Sequence, residues 1–290
     1  MRDIEIPAPD FDLEKTLNSG QVFHWIAEDD GFYGLIGDLP VFVAQPGEEL
    51  RVQVASASSR CGKNHWQDAN AAIPHYFALD HPLGDICRSF PQDPVMDAAV
   101  DYCRGLRIIR QPKWECLATF VCSSMKQVAH IRQISHALRQ RLGEPRQIGK
   151  HTLHTFPSAA RVAEVSEKEL RKCALGYRAK NLLATARKLS SSEANMERWA
   201  KLTDAELRNQ LCALPGVGPK VANCVMLFAY ERLRAFPIDV WIERVLRERY
   251  FARKRRPTAV KLREFSAQYF GEHGGYAQQY LFHHARTRGR

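Results

Sequence analysis

Paired cysteines are what the 290-residue chain most plainly lacks. Its eight cysteines stand at 61, 87, 103, 116, 122, 173, 212 and 224, with no C-x-x-C pair among them. That scatter argues against a disulfide framework or a zinc ribbon and points to a reducing, intracellular setting. An uninterrupted apolar run of membrane length is also missing. The opening MRDIEIPAPDFDLEK is acidic and has no apolar leader segment, so a soluble protein without a membrane attachment is expected. Internal repeats and low-complexity tracts are absent, leaving a chain long enough for one large domain or two smaller ones.

Acidic charge is scarce in the larger part of the chain. Through Gln92 there are 6 Lys and Arg against 14 Asp and Glu, a net of −8, whereas the remainder holds 36 against 18, a net of +18. A long basic segment suits a phosphate-bearing partner, because neutralising phosphates releases counterions. Charge alone does not say which nucleic acid.

The pattern changes character near residue 60. QVFHWIA (21–27), GFYGLI (31–36), PVFVAQ (40–45) and LRVQV (50–54) are short, aromatic and β-branched, with DDG, GD and PGEE as turns, and they predict an antiparallel meander. After Asp93, apolar positions recur at spacings of three and four in VMDAAVDYCRGL, ECLATFVCSSM, VAHIRQISHALRQRLG and AELRNQLCAL. The expected architecture is α+β. Residues 1–92 form a small antiparallel β-rich domain with a bridging segment, and residues 93–290 a larger all-helical domain.

One stretch carries chemistry: LPGVGPKVANC, residues 214–224. Thr203 and Glu206 make a capping box for the preceding helix, Gly216 and Gly218 supply a tight turn around Val217 that only glycine-like backbones allow, and Pro219 opens the next helix. The result is helix, hairpin, helix. Such a hairpin presents backbone N–H groups at a helix N-terminus to a DNA phosphate. Walker spacing is absent, and Val221 stands where a dinucleotide fingerprint wants glycine, so no nucleotide cofactor is expected. Lys220, second in its helix, reads either as a phosphate contact or, since the helix dipole disfavours an ammonium there, as an amine nucleophile. Asp239 in FPIDVWIERV reads as the cap of a helix beginning at Val240 and, compatibly, as a carboxylate that stabilises positive charge on a sugar.

LPGVGPKVANC followed by PIDV resembles the helix-hairpin-helix DNA glycosylases. The ordered segments NSGQVFHW (18–25), YFALD (76–80), GLRIIRQPKWECLATFVCSS (105–124), LGYRAKN (175–181) and GYAQQYLF (275–282) narrow the resemblance to the 8-oxoguanine DNA glycosylase/AP lyase family. The resemblance covers nearly the whole chain. It implies a monomer that acts on double-stranded DNA containing 8-oxoguanine, with Lys220 attacking C1′ and Asp239 assisting. It places Cys224, one helical turn from Lys220, and Phe282 on the two faces of the flipped base. Gln278 would read the Watson–Crick edge, and the Gly20 carbonyl would accept the N7–H that distinguishes the lesion from guanine. Tyr177 and Arg178 would be the wedge and a contact to the opposite cytosine.

Departures from the family pattern fall on the opposite-base segment. The asparagine-rich run is Met125, Lys126 and Gln127 here, an arginine-like position is His130, and Trp241 follows Asp239 and Val240. Met125 offers no acceptor and His130 a shorter donor, so relaxed reading of the opposite base is expected. No cysteine follows Cys224, which argues against the iron–sulfur cluster of the endonuclease III branch. His151 with His154, and His283 with His284, lack partners at ligand spacing, so no metal is expected. Two other functions compete: a non-catalytic helix-hairpin-helix DNA-binding protein, with Lys220 only on phosphate, and a monofunctional glycosylase for alkylated bases, which has no need of the lysine.

Overall fold

The computed structural model describes residues 2–28, 30–55, 69–123, 127–191, 195–251 and 257–288. Five strands, β1 (Arg2–Pro7), β2 (Ile26–Glu28), β3 (Gly31–Ile36), β4 (Leu39–Ala44) and β5 (Glu49–Val54), form one antiparallel sheet in the order β1-β5-β4-β3-β2. Alternation sets its faces. In β5, Leu50, Val52 and Val54 are buried, while Glu49 and Arg51 face solvent.

Two strands depart from the meander expected of the sequence. β1 is an addition: Ile4 lies opposite Val52 and Ile6 opposite Leu50, so two isoleucines among charges suffice once a partner strand is supplied. The strand expected at 21–27 shrinks to β2, because Gln21 to Trp25 turn inward. Gln21 donates to the Thr16 and Arg107 carbonyls at 3.1 and 2.8 Å and accepts from the Ile109 amide at 2.9 Å. Trp25 donates to the Tyr76 hydroxyl at 3.1 Å.

The inner face of the sheet closes over Leu17, Trp25, Ile73, Tyr76 and Phe77. A second, larger core fills the helical part, where Phe120 stacks on Phe228 with ring centroids 5.5 Å apart. The segment Leu106–Gln111 threads between the two cores, with the Arg110 amide on the Tyr76 carbonyl and the Gln111 amide on the Phe228 carbonyl.

The larger region is not all helical. Strands β6 (Pro145–Ile148) and β7 (His151–His154) form a two-stranded ribbon around the Gly149 turn, where φ is +54°. Its Ile148 and Leu153 pack on Leu35, Tyr33 and Phe42 of the first sheet. A four-residue strand with one inward apolar position leaves too short a period to be seen in the sequence.

Candidate active site

The hairpin forms for local reasons. Thr203 and Glu206 make a reciprocal capping box on the helix Asp204–Cys212. Gly216 then takes φ +76°, and a Cβ there would stand 2.7 Å from the Cβ of Asn181. Gly218 differs from expectation: at φ −100° and ψ −178° it is extended, a conformation open to any residue. Val217 is buried and pins the turn to the helical core. Pro219 opens the lysine helix, Pro219–Tyr230, which is buried from Val221 through Phe228.

Lys220 is half-buried at the mouth of that helix. Its Nζ donates to Ser123 Oγ at 3.3 Å and lies 5.1 Å from the centroid of the Phe120 ring. Ser123 caps the C-terminus of the helix Lys113–Cys122, so the amine is held between two helices. Asp239 caps the helix Val240–Val245, accepting from the Ile242 amide at 2.9 Å. Burial raises the pKa of its carboxyl, while the Ile242 amide and Lys220 pull it down. Burial likewise pushes the Cys224 thiol up to about 11, with Lys220 opposing, so Cys224 is a neutral thiol.

One cavity of about 1010 Å³ gathers these groups. Lys220, Asp239, Cys224, Gln278, Phe282 and Gly20 all line it, and Trp241 joins them from the Val240–Val245 helix. Gln278 and Phe282 project from the C-terminal helix Gly274–Arg288. The Gln278 side chain is buried, and its Oε1 has no hydrogen-bond partner among the described residues. Gly20 takes φ +86°, and a Cβ there would come within 3.0 Å of the Phe282 ring. The positive φ favours glycine, and a side chain there would press on the Phe282 ring.

The remaining sequence candidates lie away from this lining. Tyr177 is 58% exposed after Gly176, and the buried Arg178 guanidinium lies 4.4 Å from the Tyr177 ring centroid. His130 is exposed on the helix Val128–Leu142, and the hairpin residues Gly216 and Gly218 are exposed beside the lysine. Met125 falls outside the described residues. Sequence reasoning missed Ser123 and Phe120, which hold Lys220, and Gln279, Arg132 and Arg286 at the Gly20 end. Only Gln279 carried a signal, as the neighbour of Gln278 in GYAQQYLF. Among the described residues no group of three or more His, Cys, Asp or Glu is placed to hold a metal ion, and no helix is long and apolar enough to cross a membrane.

Known proteins resemble this chain over most of its length. Residues 3–117 match the family model of the 8-oxoguanine DNA glycosylase N-terminal domain, and residues 118–271 that of the HhH-GPD superfamily base excision DNA repair proteins. The chain is 31% identical to the N-glycosylase/DNA lyase OGG1 of Arabidopsis thaliana, over 93% of this chain and 76% of that one. It is 29% identical to a probable N-glycosylase/DNA lyase of Methanothermobacter thermautotrophicus, over 99% and 97%. Among solved structures, MBOgg1 in complex with a low affinity DNA ligand superimposes with a TM-score of 0.91 at 31% identity, over 99% of this chain and 96% of that one. The 8-oxoguanine glycosylase/lyase of Clostridium acetobutylicum, in complex with duplex DNA bearing cytosine opposite 8-oxoguanine, gives 0.87 at 28%, over 99% of each chain. The chain therefore belongs to the 8-oxoguanine DNA glycosylase family of the HhH-GPD base-excision repair superfamily.

Proposed function

We infer that the protein is a bifunctional DNA glycosylase and AP lyase that excises 8-oxoguanine from double-stranded DNA and then nicks the strand, working with DNA inside the cell. The observation that carries this reading is the single cavity in which an amine, a carboxylate, a thiol, an aromatic ring and a buried acceptor converge. Its size admits a purine taken out of the stack. The hairpin supplies the phosphate anchor: its exposed glycines leave the N-terminus of the lysine helix open to the backbone. In this reading residues 93–290 hold the catalytic groups, while residues 1–92 contribute Gly20.

Chemistry follows from the groups in place. The Lys220 amine attacks C1′ and the N9 bond breaks, its electron pair leaving with the base. Positive charge developing on the sugar is stabilised by Asp239, held by its cap hydrogen bond. The resulting N,O-acetal opens by breaking its C1′–O4′ bond, the pair leaving with O4′, to give an imine; a proton leaves C2′, and the C3′–O bond breaks with departure of the 3′ phosphate. Cys224, a neutral thiol, packs one face of the base and Phe282 the other. The unpartnered Gln278 Oε1 awaits the N–H donors of the purine edge, and filling a buried unsatisfied acceptor is worth about 1 to 3 kcal/mol.

Borohydride reduction during reaction with an 8-oxoguanine duplex tests the mechanism. The wild-type protein is expected to be trapped covalently. Lys220→Gln should lose trapping and strand cleavage while retaining duplex binding. Undiminished cleavage by Lys220→Gln would sink the amine mechanism, and binding of the wild-type protein without trapping would favour the non-catalytic DNA-binding reading.

A further inference from the structure

Two cationic side chains from different helices converge on one asparagine beside Gly20. Arg132, in the helix Val128–Leu142, donates to Asn18 Oδ1 at 2.8 Å, and Arg286, in the C-terminal helix, donates to the Asn18 carbonyl at 2.5 Å. Asn18 ends the helix Leu13–Asn18, and only Ser19 separates it from Gly20. Both guanidiniums line the cavity. Burial lowers the Arg132 pKa, with no acidic partner offsetting it among the described residues. The adjoining peptides are held as well. Gln279 donates to the Ser19 carbonyl at 3.1 Å, and Gln111 to the Gln21 carbonyl at 2.7 Å.

We propose that Arg132, Asn18 and Arg286 form a brace that fixes the Gly20 peptide, and that this brace sets discrimination between 8-oxoguanine and guanine. The proposal rests on the lesion reading given above. A carbonyl rejects guanine only by meeting the N7 lone pair, and repulsion discriminates only when the repelling group cannot turn aside. Gly20 is the most easily rotated residue in the loop, since it lacks a Cβ and already sits at φ +86°. Left to itself, the loop would turn its carbonyl away from guanine and accept it. Two charge-assisted hydrogen bonds on the Asn18 side, and the Gln279 and Gln111 bonds around them, remove that freedom. Arg132 and Arg286 are thus positioning residues, acting on the base through the backbone of Gly20.

The test uses the full chain carrying Lys220→Gln, which keeps the DNA uncleaved, and compares affinities for duplexes that contain 8-oxoguanine or guanine at one position. Adding Arg132→Met, or separately Asn18→Ala, should narrow the affinity ratio roughly tenfold, the scale of one mispaired buried polar group. The narrowing should come chiefly from guanine bound better. With Lys220 intact, cleavage by the Asn18→Ala variant of a duplex containing a preformed abasic site, which presents no base to Gly20, should stay within about twofold of wild type. A ratio unchanged in both variants would overturn the brace. An equal fall on lesion and abasic duplexes would overturn it too, assigning the arginines to general stability. A ratio near one already in the Lys220→Gln parent would instead overturn the lesion reading, and the brace with it.

Discussion

Asp239 combines two demands that pull its carboxyl in opposite directions. As a cap it accepts the Ile242 amide, and as a member of the cavity wall it is half-buried. Burial wins, and its pKa is raised above that of an ordinary aspartate. A carboxyl whose folded pKa is raised contributes stability that is present below the unfolded value and lost as pH rises through the folded one. At neutral pH the ionised Asp239 therefore works against folding. Asp239→Asn keeps a capping side chain and removes the charge, so thermal melting at pH 7 is expected to be equal to or above wild type. If Asp239 acts as proposed, single-turnover base release should slow by about 100-fold or more when its charge is lost. Parallel loss of melting temperature and activity would confine Asp239 to capping.

At the scale of elements, the lysine helix and the C-terminal helix both line the cavity, and a polar network ties them together. Glu231 caps the C-terminus of the lysine helix in the left-handed region, at φ 53°. It bonds to Arg110 and to His81 Nε2, while His81 Nδ1 lies 2.8 Å from the hydroxyl of Tyr276 on the C-terminal helix. Arg110 also forms a fork with Asp80 at 2.6 and 2.9 Å. The His81 hydrogen bond, with help from Arg110, lowers the Glu231 pKa to about 2 against burial. A lowered carboxyl contributes stability that is full above the unfolded value of 4.5 and is lost as pH falls toward about 2. Glu231 is partly exposed, so that contribution is discounted to about 1 kcal/mol or less. Denaturant melts of Glu231→Gln should accordingly show a small deficit at pH 7 that closes between pH 4.5 and about 2. A deficit independent of pH would mean that shape, not charge, matters at this junction.

The whole molecule is a dipole of sequence, with a net of −8 through Gln92 and +18 beyond it. If the basic part faces DNA, log affinity should fall linearly with log salt, each phosphate contact adding about 0.9 to the slope. The run RKRR at 253–256 lies outside the described residues. Neutralising Arg253, Lys254, Arg255 and Arg256 should flatten the slope if they touch phosphates, and an unchanged slope would return them to solvent. The charge segregation is visible in the sequence because it needs only counting. The cavity is not, because its lining is drawn from segments near 20, 123, 220, 239 and 280.

By itself the sequence determined whatever depends on near neighbours. The capping box at Thr203, the proline start at Pro219, the Asp239 cap and the shared face of Lys220 and Cys224 follow from spacing within a turn or two. The ordered motifs also carried the family. Tertiary structure decided the rest, because those contacts have no local period. Strand β1 exists because β5 offers Leu50 and Val52, and β6 with β7 because a sheet lies beneath them. Gln279 meets Ser19 across 260 residues, and Gly20 meets Phe282 beside it. Arg132 and Arg286 read in sequence as ordinary charges on helix surfaces. Only packing brings both to Asn18, where the geometry of one glycine can be held.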